Sequence, residues 1–159
     1  MEKSSTMIET TSLTEKNVIS TPIGKVTYTD QDIILFPEGI IGFEDKSKFI
    51  ICSQEGLEPI QWLICVDDAS LQLPIIDALL VKKDYNASTN NGELQSIGLE
   101  QVKLGKLYVI VTVGRDINHV TANLRGPIVI NTTRKLGKQI ILSESNYSLK
   151  QPLLAGSQN

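Results

Sequence analysis

Short apolar runs, each too brief for a globular helix and each closed by turn-forming residues, restrict this chain to a fold made of strands. They run Val18 to Ser20, Lys25 to Tyr28, Ile33 to Phe36, Phe49 to Cys52, Ile60 to Val66 and Leu73 to Asp77. The series resumes at Leu107 to Val113, His119 to Leu124, Ile128 to Asn131 and Lys138 to Leu142. Between them stand Pro22 and Gly24, Pro37 and Gly39, Gly42, Gly56 and Pro59, and Asp67-Asp68, residue types whose backbones break regular structure. A polar stretch, Asn86 to Gly92, leads into one helical candidate at Glu93 to Ile97. With almost no helix to carry crossovers, the strands must pair mostly antiparallel. The expected fold class is all-β: a small antiparallel barrel-like or sandwich domain with at most one or two short helices. Closing the sheet into a barrel would also remove exposed strand edges. No internal repeat is visible, which argues against a propeller or solenoid.

Two runs say more about their surroundings. Tyr108 to Val113 is apolar at nearly every position, the pattern of a strand covered on both faces, and is placed at the centre. His119 to Arg125 alternates, so Val120, Ala122 and Leu124 should face inward and His119, Thr121, Asn123 and Arg125 should form an outward polar ridge.

A chain of 159 residues is the size of one domain. Residues 1–16, rich in Ser, Thr and Glu without a period, read as a mobile tail; 17–154 read as a single β domain, and 155–159 as a C-terminal tail. The apolar share is 41% but only 5% of residues are aromatic, so the core must be built from Ile, Val and Leu. A net charge of -3 offers no long-range attraction to a nucleic acid and favours a basic partner. The N-terminus has no signal-peptide core, and no apolar run is long enough to span a membrane, so the expectation is a cytoplasmic protein. Cys52 and Cys65 each end an apolar run and read as buried thiols rather than as a bridge or ligand pair.

Residues able to do chemistry are few and scattered. His119 falls on the outward face of its run, where nothing would orient or tune it as a base. Asp67, Asp68 and Asp77 could offer oxygens to a hard cation, but adjacent aspartates after a strand more often cap a turn. Arg125, Arg134, Lys135 and Lys138 lack the interleaved aromatics that base stacking requires. Phosphate-cradling glycine motifs and nucleophile elbows are absent, so no cofactor and no metal is expected. The rival to a binding protein is a small-ligand or metal-binding β-barrel with hydrolase activity, using Asp67, Asp68, Asp77 and His119. The segment that looks built for a purpose is Phe36 to Asp45, where a strand enters a turn holding Pro37, Gly39 and Gly42, with Ile40, Ile41 and Phe43 between. Those apolar residues either plug one end of a barrel or, if exposed, meet a partner.

In order along the chain, Ile33 to Glu44, Trp62-Leu63 with Val66-Asp67-Asp68, Val109 to Val113, Thr121 to Asn131, Gly137 to Leu142 and Tyr147 resemble the flagellar assembly factor FliW family of bacteria. The likeness covers Val18 to Leu154. It implies an all-β barrel-like fold, no enzymatic activity, a monomeric free form, and two protein partners. One is CsrA, a small RNA-binding translational regulator whose repression of flagellin messenger RNA such a protein relieves; the other is flagellin itself. It further implies that CsrA is inhibited away from its RNA site, which makes the two ligands reciprocally antagonistic. Direct nucleic-acid and membrane contacts are not expected. The candidate contacts are Glu38, Ile40 and Phe43 in the turn, Asp67 and Asp68, and Asn123 and Arg125 on the ridge.

Overall fold

In the computed structural model, residues 15–87, 91–115 and 119–153 are described. Apart from residues 15 and 16, the expected tails at 1–16 and 155–159 lie outside them. The strands are β1 (Asn17–Thr21), β2 (Gly24–Tyr28), β3 (Ile34–Leu35), β4 (Lys48–Ser53), β5 (Gln61–Cys65) and β6 (Gln72–Asp77), followed by a four-residue helix, α1 (Ala78–Val81). Then come β7 (Lys106–Thr112), β8 (Thr121–Ala122), β9 (Ile128–Asn131), β10 (Leu136–Gln139) and β11 (Gln151–Pro152). Short 3-10 segments occupy Asp30–Asp32, Asn91–Ile97 and Val102–Leu104.

Seven strands close into a barrel in the order β3-β4-β5-β6-β7-β9-β10 and back to β3. Neighbours are antiparallel except at the closing seam, where β10 runs parallel to β3 through Leu136 and Leu35. Strand β7 is the hub. One of its edges pairs with β6, while the other pairs with β9 through Lys106 to Tyr108 and with β8 through Val111 and Thr112. β11 extends β8, and β1 and β2 form a separate hairpin.

The period-2 alternation of these strands sorts the apolar residues into two cores. Phe36, Phe49, Leu63, Cys65, Ile75, Tyr108, Ile128 and Ile130 fill the barrel interior, and Ile51, Leu73 and Ile110 complete it. The alternate positions Ile76, Val109, Val111 and Val129 face outward into a second core, built with Ala78, Tyr85, Leu94, Ile97, Leu124, Ile140 and Leu142. β7 therefore lies between two apolar layers, as its unbroken apolar run implies, because its odd residues serve one core and its even residues the other. Cys65 is buried in the interior, and Cys52 is a half-buried free thiol. No helix among the described residues is long and apolar enough to cross a membrane.

Two expectations about elements need correction. The run His119 to Leu124 keeps Ala122 and Leu124 buried and Val120 half-buried, but it is a strand only at Thr121–Ala122. Asn123 ends it: its Oδ1 accepts the Arg125 N–H at 2.9 Å, a local turn bond that competes with the ladder. The run Lys138 to Leu142 forms its strand earlier, at Leu136–Gln139, after which the Ile140 and Leu142 N–H groups donate to the carbonyls of Pro127 and Arg125. The helical candidate at Glu93 to Ile97 is borne out as a 3-10 helix, Asn91–Ile97. Helix α1 was not anticipated, although its signal was present: Asp77 caps it, its Oδ1 accepting the Leu79 N–H at 2.9 Å.

Candidate functional site: one end of the barrel

Strand direction decides which connections share an end. The β3–β4 connection (residues 36–47), the β5–β6 connection (66–71), the end of β7 and the segment 122–127 before β9 all emerge at the same end, where β10 also finishes. All three candidate segments, Glu38 to Phe43, Asp67-Asp68 and Asn123 to Arg125, are thus gathered at one end although 85 positions separate the first from the last.

The β3–β4 connection is a compact, self-braced turn. The Gly39 and Phe43 N–H groups donate to the carbonyls of Phe36 and Ile40, and the Lys46 N–H donates to Phe43. Gly39 has φ +69°, and a Cβ there would stand 2.6 Å from the Glu44 Cα, so only glycine fits. The turn thereby drives Ile40 into the barrel interior, where it is 1% exposed, and leaves Ile41 55% exposed. As a contact residue Ile40 is therefore corrected: it plugs the barrel, and Ile41 is the exposed apolar side chain of the turn. Phe43 is half-buried and bridges to Ile40.

Glu38 points away from the barrel mouth to a polar clamp. Its carboxylate accepts the Ser96 hydroxyl at 3.0 Å and pairs with the Lys138 ammonium at 3.2 Å. Lys138, whose side chain is 13% exposed, also donates to the Glu93 carbonyl at 2.7 Å and lies 3.8 Å from that residue's carboxylate. The Ser96 hydroxyl first, and the Lys138 ammonium after it, hold the Glu38 carboxyl below its ordinary value. The clamp joins the β3–β4 turn to the 3-10 segment on the barrel's flank.

On the other side of the turn, Lys46 lies 3.7 Å from Asp45 and 3.9 Å from Asp68. Asp68 closes the β5–β6 turn: its carbonyl accepts the Leu71 N–H at 2.9 Å and its Oδ1 the Ser70 hydroxyl at 2.6 Å. The Ser70 hydroxyl is the main cause of a lowered Asp68 pKa. Asp67 is exposed beside it. Glu38 is matched by Lys138 in the clamp, but over these two connections Glu44, Asp45, Asp67 and Asp68 outnumber Lys46, so this surface is acidic.

Asn123 and Arg125 do not form the ridge expected of them, because the strand has ended in a turn there. Asn123 spends its oxygen on that turn, and Arg125 Nη2 donates to the Ser143 carbonyl at 2.9 Å. Their segment is joined to the first through a residue the sequence did not single out. The Gln139 amide accepts the Ile41 N–H at 3.0 Å and donates to the Gly126 carbonyl at 2.9 Å. A partner so distant along the chain leaves no local sequence signal; Lys138 carried one as a cation, but not its role in the clamp.

The groups of the rival reading are dispersed. Asp77 caps α1 and pairs with Lys106 at 3.3 Å at the opposite end of β6 from Asp67 and Asp68. His119 is exposed in the β7–β8 connection, with its carbonyl accepting the Gly114 N–H. Among the described residues no three His, Cys, Asp or Glu come together as a metal site. The basic residues are also divided: Arg134 and Lys135 occupy the β9–β10 turn at the far end, and Lys138 is held in the clamp.

The profile of the family described as "FliW protein" matches residues 17–153. A protein named flagellar assembly factor FliW from Leptospira interrogans is 36% identical over 134 residues, 84% of this chain and 89% of that one. Another of that name, from Thermosipho africanus, is 36% identical over 135 residues, covering 84% of this chain and 93% of the relative. A crystal structure of the flagellar assembly factor FliW superposes with a TM-score of 0.79 at 32% identity, covering 86% of this chain and 96% of that chain.

Proposed function

The chain belongs to the FliW family of flagellar assembly factors, and from that membership we propose that it works in the cytoplasm as a monomer by binding two proteins, CsrA and flagellin, without catalysing a reaction. Binding to CsrA would free flagellin messenger RNA for translation, and flagellin would compete for or share the same supply of the factor. The observation that carries the reading is the gathering of Ile41, Phe43, Asp67 and Asp68 on one acidic, turn-built surface, with Glu38 bracing the turn behind it. A basic regulator meets complementary charge there, and rim charges of this kind act chiefly on encounter rate and salt dependence.

Calorimetric titration of the purified chain with CsrA and with flagellin tests the proposal, and silence with both rejects it. Asp67→Lys with Asp68→Lys should slow CsrA association and reduce its salt dependence without unfolding the domain. Unchanged affinity and rate would remove the β5–β6 turn from the interface.

A further inference from the structure

The end of the barrel opposite the acidic surface has features that the proposed function does not use. Helix α1 and the 3-10 segment Val102–Leu104 flank the far ends of β6 and β7. Leu79, Leu80 and Leu104 stand there 51%, 63% and 61% exposed. Between the two elements opens a cleft of ≈ 290 Å³, walled by Leu79, Tyr85, Ala87, Val102 and Leu107, with Lys103 and Lys106 at its edge. We infer that this cleft is a second docking surface, which takes an acidic amphipathic helix from a partner protein through one or two large apolar side chains.

Three observations select that occupant. The first is setting: the cleft is bordered by exposed leucines, so the apolar surface runs on past what a small molecule inside it would cover, which suits side-chain knobs. The second is charge. Lys82 and Lys106 are paired with Asp84 and Asp77, but among the described residues Lys83 and Lys103 have no ion pair, leaving positive charge beside the apolar floor. The third is backbone hydrogen bonding. β6 is paired on both edges, with β5 and β7, and β7 on both, with β6 and β9, so no open edge is available to an added strand. Strand addition is thereby excluded at β6 and β7, and a partner docks there by side chains, as a helix in a groove does. The inference does not depend on which protein binds the acidic end.

The test uses the full chain and a labelled synthetic helix of about 15 residues, with leucines at i, i+4 and i+7 and glutamates elsewhere, against the same helix with lysines in place of glutamates. The glutamate peptide should bind more tightly, weaken with salt, and move the amide resonances of 79–87 and 102–107. Leu79→Asp with Leu104→Asp should weaken it about tenfold or more, and Lys83→Glu with Lys103→Glu by a similar factor. Thermal melts check that the variants fold, and Leu79→Ser with Leu104→Ser replaces the first pair if it does not. Equal binding of the two peptides, resonance changes confined to the acidic end, or variants that bind normally would overturn the inference. So would self-association of the chain that Leu79→Asp with Leu104→Asp abolishes, since the cleft would then be an interface between copies. CsrA binding by the same variants should be unchanged, which separates this outcome from failure of the proposed function.

Discussion

Replacing Gly39 by alanine tests the geometry of the acidic end most directly, because two separate costs meet at one atom. A φ of +69° is unfavourable for an L side chain, by about 1–2 kcal/mol. In addition, the new Cβ would sit 2.6 Å from the Glu44 Cα and 2.8 Å from its carbonyl oxygen, and backbone atoms cannot rotate aside. Forcing a shift of that kind costs about 1–3 kcal/mol more. Gly42 supplies the control: its φ is +92°, but nothing lies within 4 Å of a Cβ built there, so Gly42→Ala carries only the conformational cost. Gly39→Ala should therefore destabilise the fold by about 2–5 kcal/mol, and Gly42→Ala by about 1–2 kcal/mol. In urea the two midpoints should differ by about 1 M, given typical slopes for a domain of this size. Since Gly39 sets the turn that buries Ile40 and exposes Ile41, Gly39→Ala should also weaken partner binding where Gly42→Ala does not. If the two variants unfold at the same midpoint, the close packing of Gly39 on Glu44 is refuted as a determinant of this turn.

Gln139→Ala removes both bonds of the amide that joins Ile41 to Gly126 and should lower stability by about 1–3 kcal/mol, measured as a fall of a few degrees in Tm; no change would mean that water replaces the amide without loss. Glu38 provides a pH signature. Its folded pKa lies below the ordinary value, so the clamp with Ser96 and Lys138 contributes stability above the unfolded pKa and loses it as pH falls through the folded one. Urea unfolding of wild type and Glu38→Gln should therefore differ at neutral pH and converge in acid, whereas a gap that persists in acid would show that the carboxylate charge is not what holds the clamp.

What could be read from the chain beforehand follows from the range of the forces involved. Strand β7 was legible because burial on both faces writes itself into consecutive residues, and the Gly39 turn because a positive φ with no room for a Cβ calls for glycine. β8 and β10 were less so. A side chain four atoms long decides where β8 stops, since Asn123 bonds the Arg125 N–H rather than leaving the ladder to continue. In β10 the inward position is Gly137, where a Cβ would stand 2.5 Å from the Phe36 ring, so its register answers to an aromatic a hundred residues earlier. Alternation counted on apolar residues cannot see a glycine that faces inward. The same limit hid Gln139, whose two partners lie in different turns.

The filled interior then bears on function. Small barrels either pack their lumen with side chains or keep it for a ligand, and here Phe36, Phe49, Ile40, Leu63, Ile75 and Ile128, all at most 1% exposed, occupy it. A ligand held inside would have to displace that core, and truncating one such aromatic alone costs about 3–5 kcal/mol. The binding role proposed above would therefore fall to the outer surface, where β7 is already covered by the second core. The two barrel ends remain, one acidic around Asp67 and Asp68 and one apolar and lysine-edged around Leu79 and Lys103. They are joined along the flank by the Glu38–Lys138–Glu93 clamp, which touches the acidic turn and the 3-10 segment preceding Val102. A ligand that pulled Glu38 out of the clamp would release its bonds to Ser96 and Lys138, so the clamp is one route by which occupancy of one end can bias the other; coupling that survives Glu38→Gln with Lys138→Met would have to travel through the cores instead.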